Sequence, residues 1–526
     1  MKKKYVISVD CSTTATKAII WDSNGNLVAE GRTSIQLITP KMEWAEQRAE
    51  DWWNSTVMAM KEAVQQIDPN KIGAIGITHQ RESFVCLGKE MTPLRNGILW
   101  IDTRAAPQVE KLRRESNKVH EITGLFPNLY TSNAKIMWIR ENEPFIFDQI
   151  FKILDVHAYL AWKLTGRFVT TWASACPLGL IDMYKLCWSK EIMGLLGLRE
   201  EQLCELIPPG EIIGGLTKEA ALLLGLPEGI PVVGGGGDGQ CAALGAGVIE
   251  EGFASINLGT AVVSELYSPK YIIGETFRTL CGCIPRTYIA ETFIPGGTFT
   301  ISWFLKEFGY EEDKLSKKDN IFPEQIFEIM ASKIQPYLPR LLMVPYWKAA
   351  AAPYWDSFAR GIVIGWSGQS TRAHLYRAIL EGIGFEQRFL YDGIEKSINR
   401  KIEKVVLLGG GAKSLLWRQI MADITGIPVL IPQTFEATCL GAAILAAFAI
   451  GFYGSIQKAT KVMTRARERC DPIEGNAKFY LEIYERIYKP LFPKVQNLVD
   501  EFTKITLCGA EGRFEDRESD NHLEGI

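Results

Sequence analysis

One segment near the start of the sequence combines small polar residues with charges in a way that suits phosphate binding. It runs from Asp10 to Lys17 and carries Ser12, Thr13 and Thr14 directly after an apolar run. Backbone N–H groups and hydroxyl groups in such a turn bind anionic oxygens. A carboxylate such as Asp10 can hold a magnesium ion at a phosphate site. The same residues could also form an ordinary polar hairpin turn, so this segment does not decide the function by itself.

A run of four glycines, Gly234–Gly237, precedes a single carboxylate at Asp238. Glycines have no Cβ atom and let the backbone approach a ligand closely. The aspartate behind them is placed to act as a general base that takes the proton from an attacking hydroxyl group. The alternative interpretation is a flexible glycine-rich loop with an incidental aspartate.

Two further polar segments follow apolar runs. Gly409–Gly411 lies between a strand pattern and a helix pattern, which favours a ligand at the N-terminus of the helix, although it matches neither a Walker loop nor GxGxxG. Gln80, Arg81 and Glu82 follow the run at residues 72–77. An arginine beside a glutamate can donate to and accept from neighbouring hydroxyl groups of one polyol. A tight turn and a surface ion pair are the respective alternatives.

The surrounding sequence predicts the strands and helices that would position these segments. A strand, a small polar turn and a second strand occur around Asp10 and again around Asn257, as two domains of the same fold would give. Hydrophobic periodicity and β-branched runs give the individual elements. Strands are predicted at residues 5–9, 18–21, 27–33, 72–77, 253–258, 262–267 and 405–408, and helices at 49–66, 414–425 and 440–451.

Length and composition restrict the class of protein. A chain of 526 residues predicts two domains of roughly 250 residues, or three smaller ones. The formal net charge of −3 gives no indication of a nucleic-acid partner, and no apolar run reaches the roughly 18 residues of a membrane helix. The 11 dispersed cysteines include no CxxC pair, which suits a reducing compartment rather than a zinc ribbon. We therefore expect a cytoplasmic protein with no nucleic-acid or membrane partner.

Taken in order along the chain, these segments resemble the motifs of the FGGY family of carbohydrate kinases, and the resemblance extends over about residues 4–500. Ser12 stands where the first phosphate motif usually has a glycine, and Trp366 departs from an aliphatic residue in the second signature. The segments similar to the two phosphate motifs, the two family signatures and the adenosine motif are residues 10–17, 258–260, 130–142, 361–381, and 409–411 with 436–443.

The resemblance implies an α/β protein with two ribonuclease H-like (actin-like ATPase) domains that flank a cleft. Residues 1–247 would carry the sugar site and the first phosphate motif, and residues 248–505 the ATP site. The charged, apolar-poor end over residues 506–526 is predicted to be a disordered tail. Many members of the family are homodimers or homotetramers, so either assembly is compatible with the resemblance.

The family also implies a set of site residues, with ATP and Mg²⁺ as cofactors and a small sugar or polyol as the partner. Asp238 would be the catalytic base, and Asp10 and Asp238 would lie on the magnesium side. The residues expected to contact the nucleotide are Ser12, Thr13, Thr14, Lys17, Gly259, Thr260, Gly410 and Gly411. Those expected to bind the sugar or polyol are Gln80, Arg81, Glu82, Tyr130 and Asp238.

The sequence motifs specify the type of reaction more closely than they specify the substrate. Gln80–Glu82, Tyr130 and residues 352–356 look like glycerol kinase, but two positions depart from it. Gly239 stands where those enzymes carry a glutamine that binds glycerol, and Val263 where they carry a phenylalanine. Loss of both side chains is expected to open the pocket and admit a longer substrate.

Other segments favour a different branch of the family. The tryptophan-rich residues 44–53 and the segment 100–104 look more like xylulose kinase, although that branch usually has Met-His where this chain has Gln80 and Arg81. A kinase of the autoinducer-2 signal also carries an Arg-Glu pair. We therefore place a pentulose such as xylulose, or a similar four- to five-carbon polyol, first, then glycerol, then a signal molecule.

Two rivals from other functional classes could share the same fold. One is a non-catalytic sensor of sugar or nucleotide, and the other is an ATPase module like actin or Hsp70. A sensor would have no need of Asp238. The Arg81–Glu82 pair and the two family signatures belong to small-molecule kinases rather than to the ATPase modules.

Overall fold

The computed structural model describes residues 3–319, 321–336 and 341–519, and for residues 317–319 and 507–519 it describes the backbone alone. Its strands and helices alternate in a mixed α/β chain with two domains.

From residue 3 onward, the first half of the chain contains fourteen strands and ten α-helices. The strands are β1 (Tyr5–Cys11), β2 (Ala15–Asp22), β3 (Leu27–Ser34), β4 (Glu46–Gln47), β5 (Ile72–His79), β6 (Phe84–Leu87), β7 (Gly97–Ile98), β8 (Lys152–Asp155), β9 (Val169–Thr171), β10 (Ile181–Asp182), β11 (Cys187–Trp188), β12 (Glu205–Ile207), β13 (Ile212–Gly215) and β14 (Pro231–Gly237). The helices are α1 (Ala49–Val64), α2 (Ala106–Arg113), α3 (Ser116–Thr123), α4 (Ser132–Asn142), α5 (Pro144–Gln149), α6 (Val156–Thr165), α7 (Trp172–Ala175), α8 (Lys190–Leu196), α9 (Lys218–Leu224) and α10 (Asp238–Gly245).

The described part of the second half contains nine strands and nine α-helices. The strands are β15 (Phe253–Leu258), β16 (Val262–Ser268), β17 (Arg278–Cys281), β18 (Tyr288–Ile294), β19 (Leu342–Val344), β20 (Ile362–Ile364), β21 (Lys404–Leu408), β22 (Val429–Pro432) and β23 (Ala466–Cys470). The helices are α11 (Thr298–Phe308), α12 (Tyr310–Asp319), α13 (Pro323–Ser332), α14 (Arg372–Ile398), α15 (Leu415–Thr425), α16 (Ala437–Ala449), α17 (Ile456–Met463), α18 (Glu474–Ile483) and α19 (Lys489–Ser519).

The two central sheets share one topology. The first has the order β13-β14-β5-β1-β2-β3, with β1, β2 and β3 antiparallel and with β5 and β14 parallel to β1. The second has the order β17-β18-β16-β15-β21-β22-β23, with β15, β16 and β18 antiparallel and with β21 and β22 parallel to β15. This repeated arrangement is that of two ribonuclease H-like domains, so the predicted fold class is confirmed.

The elements predicted from periodicity are all present, with shifts of a few residues at their ends. Helix α1 buries Trp52, Val57, Met60 and Val64 on one face, as the pattern indicates. Helix α15 starts one residue later than predicted because Ser414 caps it, its hydroxyl oxygen accepting from the Trp417 N–H at 3.0 Å.

Helix α16 of the second half packs into the first domain, and glycines allow this close approach. A Cβ atom on Gly245 of α10 would lie 1.9 Å from the carbonyl oxygen of Ala437, and one on Gly441 would lie 2.0 Å from that of Cys241. No other residue type could occupy either position without separating the helices. Helix α16 also contacts β1, β5 and β14. The helix pair α10–α16 therefore joins the two domains through a shared core.

Two predictions about the ends of the domains are not decided by these elements. The connection between α10 and β15 covers residues 246–252, where the predicted boundary at 247 falls, and that boundary stays our proposal. The backbone of α19 is helical as far as Ser519. Residues 520–526 lie outside the described residues, so the predicted disordered tail over 506–526 stays a prediction.

The cysteines and the helices relate to the predicted reducing compartment and the predicted lack of a membrane partner. The ten cysteines whose side chains are described are free thiols, and eight of them are buried. Over the described ranges, no helix is both long enough and apolar enough to cross a bilayer. The cytoplasmic location stays a prediction.

A buried carboxyl group in α14 makes the stability of the second domain depend on pH. The hydroxyl groups of Tyr488 and Tyr346 donate to Glu386 at 2.5 and 3.1 Å, and burial raises the pKa of Glu386 to about 7. Between about pH 4.3 and 7 the folded state therefore binds more protons than the unfolded state. The stabilising contribution is complete below about pH 4.3, and about 3 kcal/mol of it is lost as pH rises through 7.

We therefore expect the thermal midpoint of the Glu386→Gln variant to fall less than that of the wild-type protein between pH 5 and pH 8. Differential scanning calorimetry at both values measures this, with the exposed Glu474→Gln as the control for an ordinary glutamate. Equal pH dependence of the Glu386→Gln and wild-type proteins would contradict the assignment.

Candidate active site

The register of three parallel strands brings the predicted residues of the first domain to one sheet edge. Asp10 on β1 lies beside Thr78 on β5, and Thr78 lies beside Gly236 on β14. The segments that leave these strand ends carry the turn after Asp10, the residues Gln80–Glu82, and Asp238. Because the carboxyl ends of parallel strands share an edge, these residues lie together at the edge where ligands of open α/β sheets bind.

The four glycines are part of strand β14 itself, and Asp238 is the first residue of α10. The interpretation of the glycines as a flexible loop is therefore wrong. A Cβ atom on Gly235 would lie 1.7 Å from the carbonyl oxygen of Ile77, and one on Gly237 would lie 2.4 Å from Cγ of Arg81. The glycines thus let β14 approach β5 and the Arg81 side chain closely.

Arg81 lies between carboxylates from both domains. Its Nε atom is 2.8 Å from Oδ1 of Asp238, and its Nη1 atom donates to Glu291. Burial alone would lower the pKa of the Arg81 guanidinium, but the carboxylates of Glu291 and Asp238 more than offset this and raise it. The side chains of Arg81 and Glu291 are 9% and 1% exposed, and that of Asp238 is 39% exposed. Asp238 is therefore the accessible carboxylate, held in place by a buried ion pair.

Arg278 is a site residue that the sequence analysis did not identify. Its Nη1 atom donates to Oε1 of Glu82, and its Nε atom donates to Oε1 of Glu291, each at 2.6 Å. The antiparallel register of β17 and β18 places Arg278 directly opposite Glu291. Only that pairing reveals the contact, because neither residue belongs to a segment with a recognisable motif. Both members of the predicted Arg81–Glu82 pair are thus bound by the second domain.

The space expected beside Gly239 is already filled. A Cβ atom at this position would lie 2.7 Å from Oε1 of Glu265 and 3.0 Å from Nη1 of Arg81. Glu265 is 1% exposed and accepts a hydrogen bond from the Ser255 hydroxyl group at 2.7 Å. Burial, followed by the neighbouring Glu291, raises the pKa of Glu265. A carboxyl group therefore occupies the place where the missing side chain was expected to leave a gap.

An aromatic ring also lies close to Val263. The β16–β18 register places Phe293 opposite Val263, and the Phe293 ring packs edge-on against Tyr130 with 5.5 Å between ring centroids. Glu265 and Phe293 thus lie next to these two positions, and the expectation of an enlarged pocket stays a prediction.

Thr13 and Gln80 belong to a hydrogen-bonded wall beside Tyr130. The hydroxyl group of Thr13 donates to Oε1 of Gln80 at 3.1 Å and accepts from Nε1 of Trp100 at 2.9 Å. The Trp100 ring lies 5.9 Å from that of Tyr130. Gln80 is only 1% exposed, and its predicted contact with the substrate stays a prediction. The predicted nucleotide contact of Thr13 stays a prediction.

The other predicted residues of the first turn differ in their surroundings. Ser12 closes the turn between β1 and β2, since its hydroxyl group donates to the carbonyl oxygen of Ala15 at 2.7 Å. Thr14 is exposed at the tip. Nζ of Lys17 lies 2.7 Å from Oε2 of Glu436 in the second domain. Lys17 therefore links β2 to the second domain, and the predicted nucleotide contacts of Ser12, Thr14 and Lys17 stay predictions.

Asp10 has the unsatisfied buried carboxyl group that a cation would complete. Its Oδ1 atom has no hydrogen-bond partner among the described residues. Burial, followed by the charge of Asp238, raises the pKa of Asp10 to about 7. No group of three or more histidine, cysteine or acidic side chains in the described ranges is arranged to hold a metal. Since Mg²⁺ commonly takes one or two carboxylates together with phosphate oxygens, Asp10 and Asp238 fit such an ion.

The predicted nucleotide segments of the second domain lie side by side. The pairing of Asn257 with Leu408 in β15 and β21 places the turns at 259–260 and 409–411 at one edge of the sheet. Gly409 has a φ of +79°, and a Cβ atom on it would lie 2.4 Å from Oδ1 of Asn257. A Cβ atom on Gly410 would meet nothing within 4 Å. Residues 410–413 form a 3₁₀ turn ahead of α15, so the edge offers open backbone, and the predicted contacts of Gly259, Thr260, Gly410 and Gly411 stay predictions.

Comparison with known proteins gives one consistent family. Models of the N-terminal and C-terminal domains of the FGGY family of carbohydrate kinases match residues 5–245 and 254–450. A gluconokinase from Bacillus subtilis is 26% identical over 505 residues, which cover 95% of this chain and 97% of that protein. A glycerol kinase from Thermococcus kodakarensis is 31% identical over 500 residues, covering 93% and 95% respectively. The ligand-bound crystal structure of a xylulose kinase from Lactobacillus acidophilus aligns with a TM-score of 0.87 at 24% identity, covering 95% of this chain and 100% of that one.

Proposed function

Because the chain belongs to the FGGY family of carbohydrate kinases, it is an ATP-dependent phosphotransferase, and we propose that its acceptor is a hydroxyl group of a small, uncharged sugar or polyol. The observation that carries this proposal is that both guanidinium groups of the cluster, those of Arg81 and Arg278, are already paired with carboxylates. The size of the acceptor and the roles of the individual residues follow from the packing of the same cluster.

The cluster has no free cation for an acidic substrate. Arg81 is paired with Asp238 and Glu291, and Arg278 with Glu82 and Glu291. With the buried Glu265 protonated, three carboxylates still face two guanidinium groups. A substrate carboxylate would therefore meet a net negative surface, and like charges at such close range cost several kcal/mol. This favours a neutral acceptor over gluconate.

The packing beside Gly239 and Val263 favours a short acceptor. Glu265 supplies a polar group at the first position, and Phe293 supplies an aromatic ring against Tyr130 at the second. The pocket thus keeps one polar and one apolar wall close to the Arg81–Glu82 pair. We place glycerol or a similar short polyol first. A pentulose such as xylulose is the second candidate, favoured by the tryptophan-rich sequence segments.

In the proposed reaction Asp238 takes the proton from the acceptor hydroxyl group as that oxygen attacks the γ-phosphorus of ATP. Its Oδ1 atom accepts from the backbone N–H of Gly239 at 2.8 Å and contacts Arg81. Its Oδ2 atom has no hydrogen bond or ion pair with the described residues, which leaves it available to the hydroxyl group. Asp10 and Asp238 would hold Mg²⁺, which neutralises charge on the phosphate oxygens when it is bound.

An ADP-release assay with a panel of acceptors tests the proposal. The panel contains glycerol, erythritol, ribitol, D- and L-xylulose, D- and L-ribulose, gluconate and an autoinducer precursor. We expect an uncharged acceptor to give the highest kcat/KM, with gluconate at least about 100-fold lower, since each 1.4 kcal/mol is tenfold. Gluconate as the best acceptor would refute the charge argument. A pentulose far ahead of glycerol would refute the size argument alone.

A further inference from the structure

Strand β14 contains a bulge three residues before the proposed base. Val233 pairs with Gly76 and Gly236 pairs with Thr78, so two residues, Gly234 and Gly235, lie opposite the single residue Ile77. Bulges of this kind bend a strand and are common beside active sites. The bulge shifts everything that follows it, including Asp238, by one residue relative to β5.

The four backbone groups of the bulge all find partners outside β5. The N–H of Gly234 donates to the carbonyl oxygen of Glu211 at 2.9 Å, and its own carbonyl oxygen accepts from Gly210 at 2.7 Å. The N–H of Gly235 donates to Nε2 of His157 at 3.2 Å. The carbonyl oxygen of Gly235 accepts from the hydroxyl group of Thr171 at 2.8 Å. Two side chains, on α6 and at the end of β9, thus satisfy the backbone of Gly235.

We infer that His157 and Thr171 are positioning residues for the reaction, which hold the Gly234–Gly235 bulge and so set the position of Asp238. This inference rests on the proposed function of Asp238 as the base. One residue advances a strand by about 3.3 Å, and a general base must lie within about 2.6–3.2 Å of the proton it takes. Loss of the bulge would therefore move Asp238 out of reach, although His157 and Thr171 are fully buried and offer no surface to a ligand themselves.

The buried surroundings of His157 agree with its role as an acceptor. His157 and Thr171 are both fully buried. Burial, followed by the neighbouring His79, lowers the pKa of His157 well below 6.5, which the backbone of Val169 opposes only in part. A neutral imidazole that accepts at Nε2 carries its proton on Nδ1. The hydrogen bond from Gly235 therefore requires the neutral Nδ1–H tautomer of His157.

Paired substitutions separate positioning from general stability. His157→Leu and Thr171→Val remove the partners of the bulge, whereas His157→Gln and Thr171→Ser keep an acceptor and a donor within reach. We expect the first two to lower kcat by about 10- to 100-fold with both KM values within about twofold, and the second two to restore most of kcat. His120→Leu is the matched control, because this buried histidine stacks on Phe126 instead and its loss should leave kcat unchanged.

The outcomes distinguish this inference from the proposed function. An active wild-type enzyme with unchanged kcat in folded His157→Leu and Thr171→Val variants would overturn the inference. Should these variants not fold, selective ¹⁵N labelling of the five histidines reads the tautomer in the wild-type protein by NMR. A neutral Nδ1–H tautomer at His157 supports the inference, and an Nε2–H or cationic form overturns it. Absence of phosphate transfer to any acceptor by the wild-type protein would instead refute the function.

Discussion

Replacement of Asp238 by asparagine is expected to lower kcat by about 10²- to 10⁴-fold and to leave the KM values for ATP and acceptor within about threefold. Asparagine keeps the size of the side chain and an oxygen that can face Arg81, but it cannot take a proton. Asp238 is the accessible carboxylate of the cluster, with Oδ1 held by Arg81 and by the backbone of Gly239. Initial rates of ADP release at saturating ATP and acceptor measure the effect.

Asp51→Asn is the matched control for this substitution. Asp51 also lies in the first turn of a helix and pairs with an arginine, Arg48, at 2.7 Å, but on α1, away from the cleft. Its replacement should change kcat by less than about twofold. An Asp238→Asn variant that phosphorylates its best acceptor at the wild-type rate would show that another group takes the proton.

The second large effect is expected from Arg81→Met, which should abolish detectable transfer and destabilise the protein by about 3–5 kcal/mol. Methionine roughly keeps the length of the side chain but removes the charge that Glu291 and Asp238 share. Glu291 is 1% exposed, and its carboxylate is paired with both Arg81 and Arg278. The substitution would therefore remove one of the two guanidinium partners of a buried carboxylate. Because two domains need not unfold in one step, the thermal midpoint of each transition should be followed by calorimetry.

A double variant separates the stability effect from the catalytic effect. In Arg81→Met/Glu291→Gln the uncompensated carboxylate is gone, so part of the lost stability should return. Activity should not return, because Arg81 also holds Asp238. A single Arg81→Met variant with wild-type thermal midpoints would contradict the buried ion pair. Recovery of kcat in the double variant would contradict the role of Arg81 at Asp238.

The sequence was sufficient to predict the strands and the polar residues at their ends, and the ribonuclease H-like fold followed from the resemblance to the family. Apolar runs such as residues 72–77 and 253–258 have the length and composition of buried strands, and the polar residues follow directly at their ends. Strand ends that share a sheet edge must bring those residues together, as Asp10 and Asp238 show. The repeat around Asp10 and Asn257 likewise corresponds to two sheets of the same topology. These features are local, and periodicity and turn chemistry are enough to find them.

The parts of the site that could not be predicted depend on contacts between distant segments. Arg278 reaches Glu82 across 196 positions of the chain, and its pairing with Glu291 depends on a strand register that no motif marks. In the sequence, Gly239 indicates that a side chain is missing from the pocket. In the structure, Glu265 lies where that side chain would begin. The bulge at Gly235 is equally invisible, because a glycine run has no periodicity that would reveal the extra residue.

The measurement that tests the central claim most directly is ³¹P NMR of the enzyme with ATP, Mg²⁺ and the acceptor panel. We expect the signals of ATP to give way to those of ADP and of one new phosphomonoester in equal amounts, from an uncharged acceptor. ADP with inorganic phosphate alone, independent of acceptor, would identify an ATPase module instead. ATP that binds but remains intact with every acceptor would favour a sensor, and either result would contradict the assignment of Asp238 as the base of a phosphoryl transfer to a sugar or polyol.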